Sequence, residues 1–203
     1  MWRGRANKTD DASTIVVIGL GNPGEQYADT RHNIGQDLVA QFARELGAPL
    51  QANRKLKASV SSTRRDGVLW VFAVPTTFMN RSGDAVQAVA GFYKATPQNV
   101  IVCHDDLDVP FGELRVKRGG GHAGHNGLRD IDRALSTSEY LRIRLGIGRP
   151  PGRMEASKFV LARFRADERP IVDAVLAGAC DAIDSVVRDG VEETQNRFHG
   201  RPL

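Results

Sequence analysis

The chain has 203 residues, room for one domain with a substantial core, and its 41% hydrophobic and 26% charged content excludes a disordered or fibrous protein. No apolar run approaches the ~18 residues of a membrane span, and the first 13 residues are too polar for a secretory signal. The net charge is +4, with a pI near 9.3.

We therefore expect a flexible N-terminal extension over residues 1–13 and a single α/β domain over 14–203. The two cysteines, Cys103 and Cys180, are far apart and outside any CxxC spacing. That excludes a disulfide framework and a structural zinc site, and points to the cytoplasm. The positive charge is uneven. Residues 115–153 hold nine Lys or Arg against three acids, a local field that attracts polyanions.

Taken in chain order, residues 15–20 form a short apolar run ending in Gly-Asn-Pro-Gly, which predicts a buried strand and a tight turn. Asn33 is placed to cap a helix whose apolar face is Ile34, Leu38, Phe42 and Leu46. Residues 68–74 predict a second buried strand. Val86, Val89, Phe92 and Tyr93 mark an amphipathic helix after Ser82. A third strand spans 100–103 and runs into His104, Asp105, Asp106, Leu107 and Asp108.

Leu114 and Val116 alternate with Arg115 and Lys117, as on a half-buried strand with a basic outer face. Three glycines (119–121) precede a short helix through Leu128, Ile131 and Leu135. Residues 141–147 alternate again, with Arg142 and Arg144 on one face. Ile171, Val175, Ala179, Ile183 and Val186 define a long helix, with Asp167 as its expected cap. Strands and helices interleave throughout. The expected fold is therefore three-layer α/β, a central mixed, mostly parallel sheet flanked by helices.

Gly19-Leu20-Gly21-Asn22-Pro23-Gly24 matches the dinucleotide-binding G-x-G-x-x-G spacing. Pro23 sits inside it, however, and the next helix begins about ten residues late, so the cofactor reading fails on context. His32 lies in a polar loop just ahead of the first predicted helix, close to the carboxyl end of the first strand. In open α/β sheets that edge is where binding crevices form. An imidazole there is suited to take a proton from water. Asp105, Asp106 and Asp108 project from the same edge, and one carboxylate there can hold the imidazole in its proton-accepting form.

His104, His122 and His125 with these acids form a conceivable metal set, but their spacing matches no metal motif and no metal is expected. No G-x-S-x-G elbow exists, so direct attack by water is favoured over a serine intermediate. Asn80, at the end of the second strand, either caps the next helix or donates to a developing oxyanion. The glycine stretch 119–124 opens a helix whose N–H groups suit phosphate.

Together these segments resemble the bacterial-type peptidyl-tRNA hydrolase family. The matching stretches are residues 17–24, Tyr27, Thr30 to Gly35, Phe78 to Gly83, His104 to Asp108, 119–128 and 144–150, in the family's order over about residues 14–197. The resemblance implies hydrolysis of the ester between a peptide and tRNA by a histidine-activated water, freeing tRNA from peptidyl-tRNA released by stalled translation.

It implies His32 as the base and Asp105 as the acid that keeps it basic. Asn22 separates blocked from unblocked substrates, and Asn80 orients water. Tyr27, Phe78, Asn80 and Asn126 bind the tRNA 3′ end and peptide backbone. It also implies a cytoplasmic monomer that needs no cofactor. Asp106 and Ala123 depart from the commonest pattern, where Glu and Gly are frequent. The alternative expectation is a non-catalytic RNA-binding module of the same fold.

Overall fold

The computed structural model describes residues 14–200, so the extension expected over 1–13 lies outside the described residues. Its strands are β1 (Thr14–Gly19), β2 (Gln51–Asn53), β3 (Ala58–Arg65), β4 (Val68–Pro75), β5 (Val100–Asp106), β6 (Leu114–Arg118) and β7 (Leu141–Gly146). The helices are α1 (Ile34–Glu45), α2 (Ser82–Phe92), α3 (Asn126–Leu135), α4 (Ala156–Val160), α5 (Arg169–Arg188) and α6 (Val191–Phe198).

The strands form one sheet in the order β2-β3-β4-β1-β5-β7-β6. Its centre, β4-β1-β5-β7, is parallel, and β4, β1 and the first half of β5 are apolar on both faces, as strands covered by helices on each side are. The flanking strands pair antiparallel, β2 with β3, β3 with β4, and β6 with β7. The sheet is thus mixed with a parallel core.

Alternation along β1 separates two cores. Val17 joins the layer of α1, α5 and α6, whereas Val16 and Ile18 join that of α2 and α3. The β2–β3 hairpin was not among the predicted elements. Most of β3 beyond Val60 is polar or only partly buried, so it lacks an apolar signal.

Several expectations need correction. β5 runs to Asp106, so His104 and Asp105 are strand residues, not a loop beyond it. Phe92 and Ile171, assigned to apolar helix faces, are 66% and 40% exposed. The residue before α5 is Glu168, while Asp167 pairs with Arg165 instead of capping. Asn33 holds the expected position before α1, yet its side chain caps nothing in the helix. It clamps the Asn22 backbone from both sides, accepting its N–H at 2.8 Å and donating to its carbonyl at 3.0 Å.

The glycines of the β1 turn now have a steric reason. A Cβ on Gly19 would fall 2.9 Å from the Gln36 Cα, and one on Gly35 would strike the Cys103 carbonyl of β5. α1 therefore lies directly against the two strands that carry the site, and a ligand phosphate is not what these glycines make room for. Gly35→Ala should lower stability by about 1–3 kcal/mol, the range for overpacking a filled contact. Chemical denaturation measures it, and an unchanged midpoint would refute the contact.

At the other side of the sheet, α6 covers the β6 edge. The Val116 N–H donates to His199 Nε2 at 2.8 Å, and the Gln195 amide donates to the Val116 carbonyl at 2.8 Å. The outward groups of Val116 in this edge strand are thus satisfied by side chains. Burial and the nearby Arg115 charge lower the His199 pKa from 6.5. Its stabilising contribution is present above the unfolded pKa of about 6.5 and fades as pH falls through the lower folded value. His199→Gln should therefore flatten the acid side of a stability–pH curve below about pH 6.5.

Candidate active site

Three strand ends and one loop supply the site. The turn after β1 carries Asn22, the turn after β4 carries Phe78, Met79 and Asn80, and β5 carries Asp105 near its carboxyl end. His32 lies in a single 3-10 turn, Arg31–Asn33, immediately before α1. Because β1, β4 and β5 are parallel, these ends share one edge of the sheet.

Asp105 is 2% exposed, and one of its oxygens, Oδ1, receives two imidazoles. His32 Nδ1 lies 2.7 Å from it and His125 Nε2 lies 3.1 Å from it. The tautomer of His125 is settled by its other nitrogen. As the residue preceding α3, it accepts the N–H groups of Gly127 and Leu128 on Nδ1, at 3.1 and 3.3 Å. Its proton is therefore on Nε2 and points to Asp105. A carboxylate accepts, so the His32 proton is on Nδ1, and its Nε2 keeps a lone pair directed to the cleft.

Burial would raise the Asp105 pKa, but the charges and hydrogen bonds of His32 and His125 hold it far below the usual carboxylate range. Burial alone would lower the His32 pKa. The Asp105 charge and hydrogen bond outweigh it and leave the imidazole above 6.5. His104, beneath them, donates from Nδ1 to the Asp105 carbonyl at 2.7 Å and is driven by burial to about 3, so it is neutral.

His125 was missed as a partner of Asp105. The glycine-rich loop gave no sign of which way its ring would turn, and only the helix start at Asn126, which makes it a cap, could have hinted at it. The same cap corrects the expected phosphate site, since His125 already occupies N–H groups at the start of α3.

His32 Nδ1, Asp105 Oδ1 and His125 Nε2 all lie within 4.8 Å of one another, a spacing that suits a cation. The donor chemistry does not fit one. For Nε2 of His125 to bind metal, its proton would have to move to Nδ1, facing two N–H donors.

The other predicted residues gather around His32. Asn22 accepts the Met79 N–H on Oδ1 at 2.8 Å, which leaves its NH₂ group for the cleft. Asn22, His32, Phe78, Met79, Asn80 and Asn126 line one chamber of about 480 Å³. A second chamber, of about 280 Å³, joins it at His32 and Asn126 and extends past Asp105 and Asp108 to Arg149. Phe78 is 53% exposed, and Tyr27 packs edge-on against it at 6.2 Å, at the rim rather than in the lining. Asn126 accepts from Arg129 at 2.9 Å.

Of the three acids after His104, Asp105 alone takes the imidazole. Asp106 pairs with Arg144 and Asp108 with Arg149. Ser157, Val160 and Leu161, none predicted, complete the wall. Ala123, standing where glycine is frequent, has φ +46°, a conformation costing an L-residue about 1–2 kcal/mol.

The basic segment is only partly a surface. Arg142, expected on one strand face with Arg144 and counted in the basic segment, is buried over the Tyr140 ring. Its guanidinium donates to the carbonyls of Gly121 and Gly120 at 2.8 and 2.7 Å. Lys117, Arg118, Arg129, Arg133, Arg149 and Arg153 remain exposed.

Fold and cleft together define a hydrolase of the three-layer α/β class. A model described as peptidyl-tRNA hydrolase matches residues 16–203. The chain is 50% identical over 191 residues to the peptidyl-tRNA hydrolase of Frankia alni, covering 94% of this chain and 96% of that one. It is 45% identical over 188 residues to that of Mycobacterium tuberculosis, covering 93% and 98%. Among solved structures, the peptidyl-tRNA hydrolase of Acinetobacter baumannii aligns with TM-score 0.87 at 34% identity, covering 95% of this chain and 98% of that one. The chain belongs to the peptidyl-tRNA hydrolase family.

A His32 that serves as base does so only when neutral, so its raised pKa predicts that hydrolysis falls on acidification, with a midpoint above 6.5. Asp105→Asn removes the charge that raises that value. Its acid limb should move to lower pH while the plateau drops by about 10²-fold or more. An unmoved limb would show that Asp105 does not act on His32.

Proposed function

We propose that this cleft hydrolyses the ester linking a peptide to the 3′-terminal ribose of tRNA, with His32 as general base. The observation that carries the proposal is the free Nε2 of His32, fixed in the accepting tautomer by a buried carboxylate that is itself oriented by His125. Water hydrogen-bonded to Nε2 gives up its proton as its oxygen bonds to the ester carbonyl carbon. The C–O bond to ribose then breaks, and the proton passes from His32 to the leaving ribose oxygen. The products are a free peptide acid and tRNA. No covalent enzyme intermediate is needed, because an activated ester demands only a base, its orienting acid and amide donors.

Asn22 supports the expected discrimination. Its carbonyl is spent on Met79, so it offers only N–H donors to the cleft. A blocked substrate presents a carbonyl that accepts them, whereas an unblocked one presents an ammonium, a donor facing a donor. Asn80, whose carboxamide has no protein partner among the described residues, is placed to orient water or the oxyanion. Phe78 and Tyr27 offer aromatic faces to the unpaired 3′ bases, and Asn126 offers polar contacts. The exposed basic residues then hold phosphates of the acceptor stem.

The unit of action in this reading is the monomer, with residues 14–203 as one catalytic domain. The free buried thiols of Cys103 and Cys180 support a reducing, cytoplasmic setting. No described helix is long and apolar enough to cross a membrane.

The test is incubation with acetyl-aminoacyl-tRNA and its unblocked form, with chelator present. The blocked form should be cleaved selectively, and His32→Ala should abolish cleavage while keeping the fold. Tight tRNA binding without cleavage by the intact protein would favour the RNA-binding module instead. Binding should also weaken with salt, by about 0.7–0.9 log unit in affinity per log unit of salt for each phosphate held. Lys117→Ala should reduce that slope by about one such unit.

A further inference from the structure

Arg31 directly precedes His32 in sequence, yet its side chain lines neither chamber of the cleft. It is 5% exposed, and its donors reach a segment more than 130 residues away. Nη1 donates to the carbonyls of Ala162 and Arg163 at 3.3 and 2.7 Å. Nη2 meets both oxygens of Glu168, at 2.9 and 2.8 Å. The guanidinium lies 4.5 Å over the Phe159 ring and 4.9 Å from the Phe164 ring. The backbone follows the same path. The Arg31 N–H donates to the Ala162 carbonyl, the Phe164 N–H to the Asp29 carbonyl, and Thr30 forms a β-bridge with Arg163.

What this holds is α4. The helix is five residues long, far below the length that is stable on its own, and Phe159 is its only fully buried side chain. Nevertheless α4 presents Ser157 and Val160 to both chambers of the cleft. A wall that short keeps its place through what grips it, and Arg31 grips it at Phe159 and just beyond its C-terminal end. A lysine could not replace it, since a point charge cannot serve two carbonyls, a bidentate carboxylate and two ring faces together.

We infer that Arg31 is a positioning residue for the reaction: it ties the α4 wall of the cleft to the turn that carries His32, so that substrate is gripped at a fixed distance from the base. This rests on the cleft being the reaction site. Whichever chamber takes the peptide, α4 borders it, so loosening α4 weakens binding more as more peptide fills the cleft. The His32–Asp105 pair is left intact.

The test compares Arg31→Lys, Phe159→Leu and wild type on acetyl-aminoacyl-tRNA and on an acetylated tripeptidyl-tRNA, with His32→Ala alongside. KM should rise about tenfold for the tripeptidyl substrate and less for the short one, with kcat on the short substrate nearly kept. The acid limb of the pH profile should stay in place. Amide exchange should speed up in residues 156–168 and not in α1. Phe159→Leu leaves the Arg31–Glu168 pair intact and should give a smaller effect of the same kind, covering the case in which Arg31→Lys does not fold.

Equal loss of kcat on both substrates with KM unchanged would overturn the inference, since that marks general destabilisation. An unchanged KM and exchange pattern in both variants would overturn it as well. If the cleft itself is wrongly assigned, His32→Ala retains turnover, a result that separates that failure from this one.

Discussion

The arrangement depends on one buried carboxylate oxygen receiving two imidazole protons. A charge as buried as Asp105 is costly unless donors surround it, and here the donors are two imidazoles, each held in one tautomer. The start of α3 forces the proton of His125 onto Nε2. Asp105 then forces the proton of His32 onto Nδ1. The carboxylate thus determines which nitrogen of His32 faces the cleft, and the start of α3 holds the second ring against it. Replacing Asp105 by a neutral amide would free the His32 ring to turn and leave the base without a defined state.

Two buried guanidiniums do for the loops what the sheet does for the strands. Arg142 holds two consecutive carbonyls of the glycine stretch, and that stretch leads into His122–His125. Arg31 holds the segment after α4. Each is a planar fork with several donors, suited to binding irregular backbone that offers carbonyls but no regular ladder. A cleft needs loops of that kind, and loops without a ladder need such a clamp to keep a geometry good to a fraction of an ångström.

How much was legible in the residues follows from the range of each signal. Continuous apolar runs gave β1, β4 and β5 of the parallel centre, alternation gave β7, and 3.6-residue periodicity gave α1, α2, α3 and α5. The β2–β3 hairpin lacked a contrast between faces, and α6 carries apolar residues only at Val191 and Phe198. α4 lacked length. The family's motifs named Asn22, His32, Asn80, Asp105 and Asn126, and the fold brings these to one edge. Tyr27 reaches that edge only through Phe78. Arg142 was misread because alternation on a strand tells which face a side chain takes, not whether a loop later folds over it.

Order along the chain, the apolar period and the placing of polar residues after strands are local properties, and residues 14–200 carried them openly. The ring of His125 turned onto Asp105, the burial of Arg142, and Arg31 reaching α4 were decided by the tertiary structure alone. The physical reason is the same in all three. A hydrogen bond has a partner and a direction, and when the partner lies 20 to 130 residues away, no pattern in the neighbouring sequence records it.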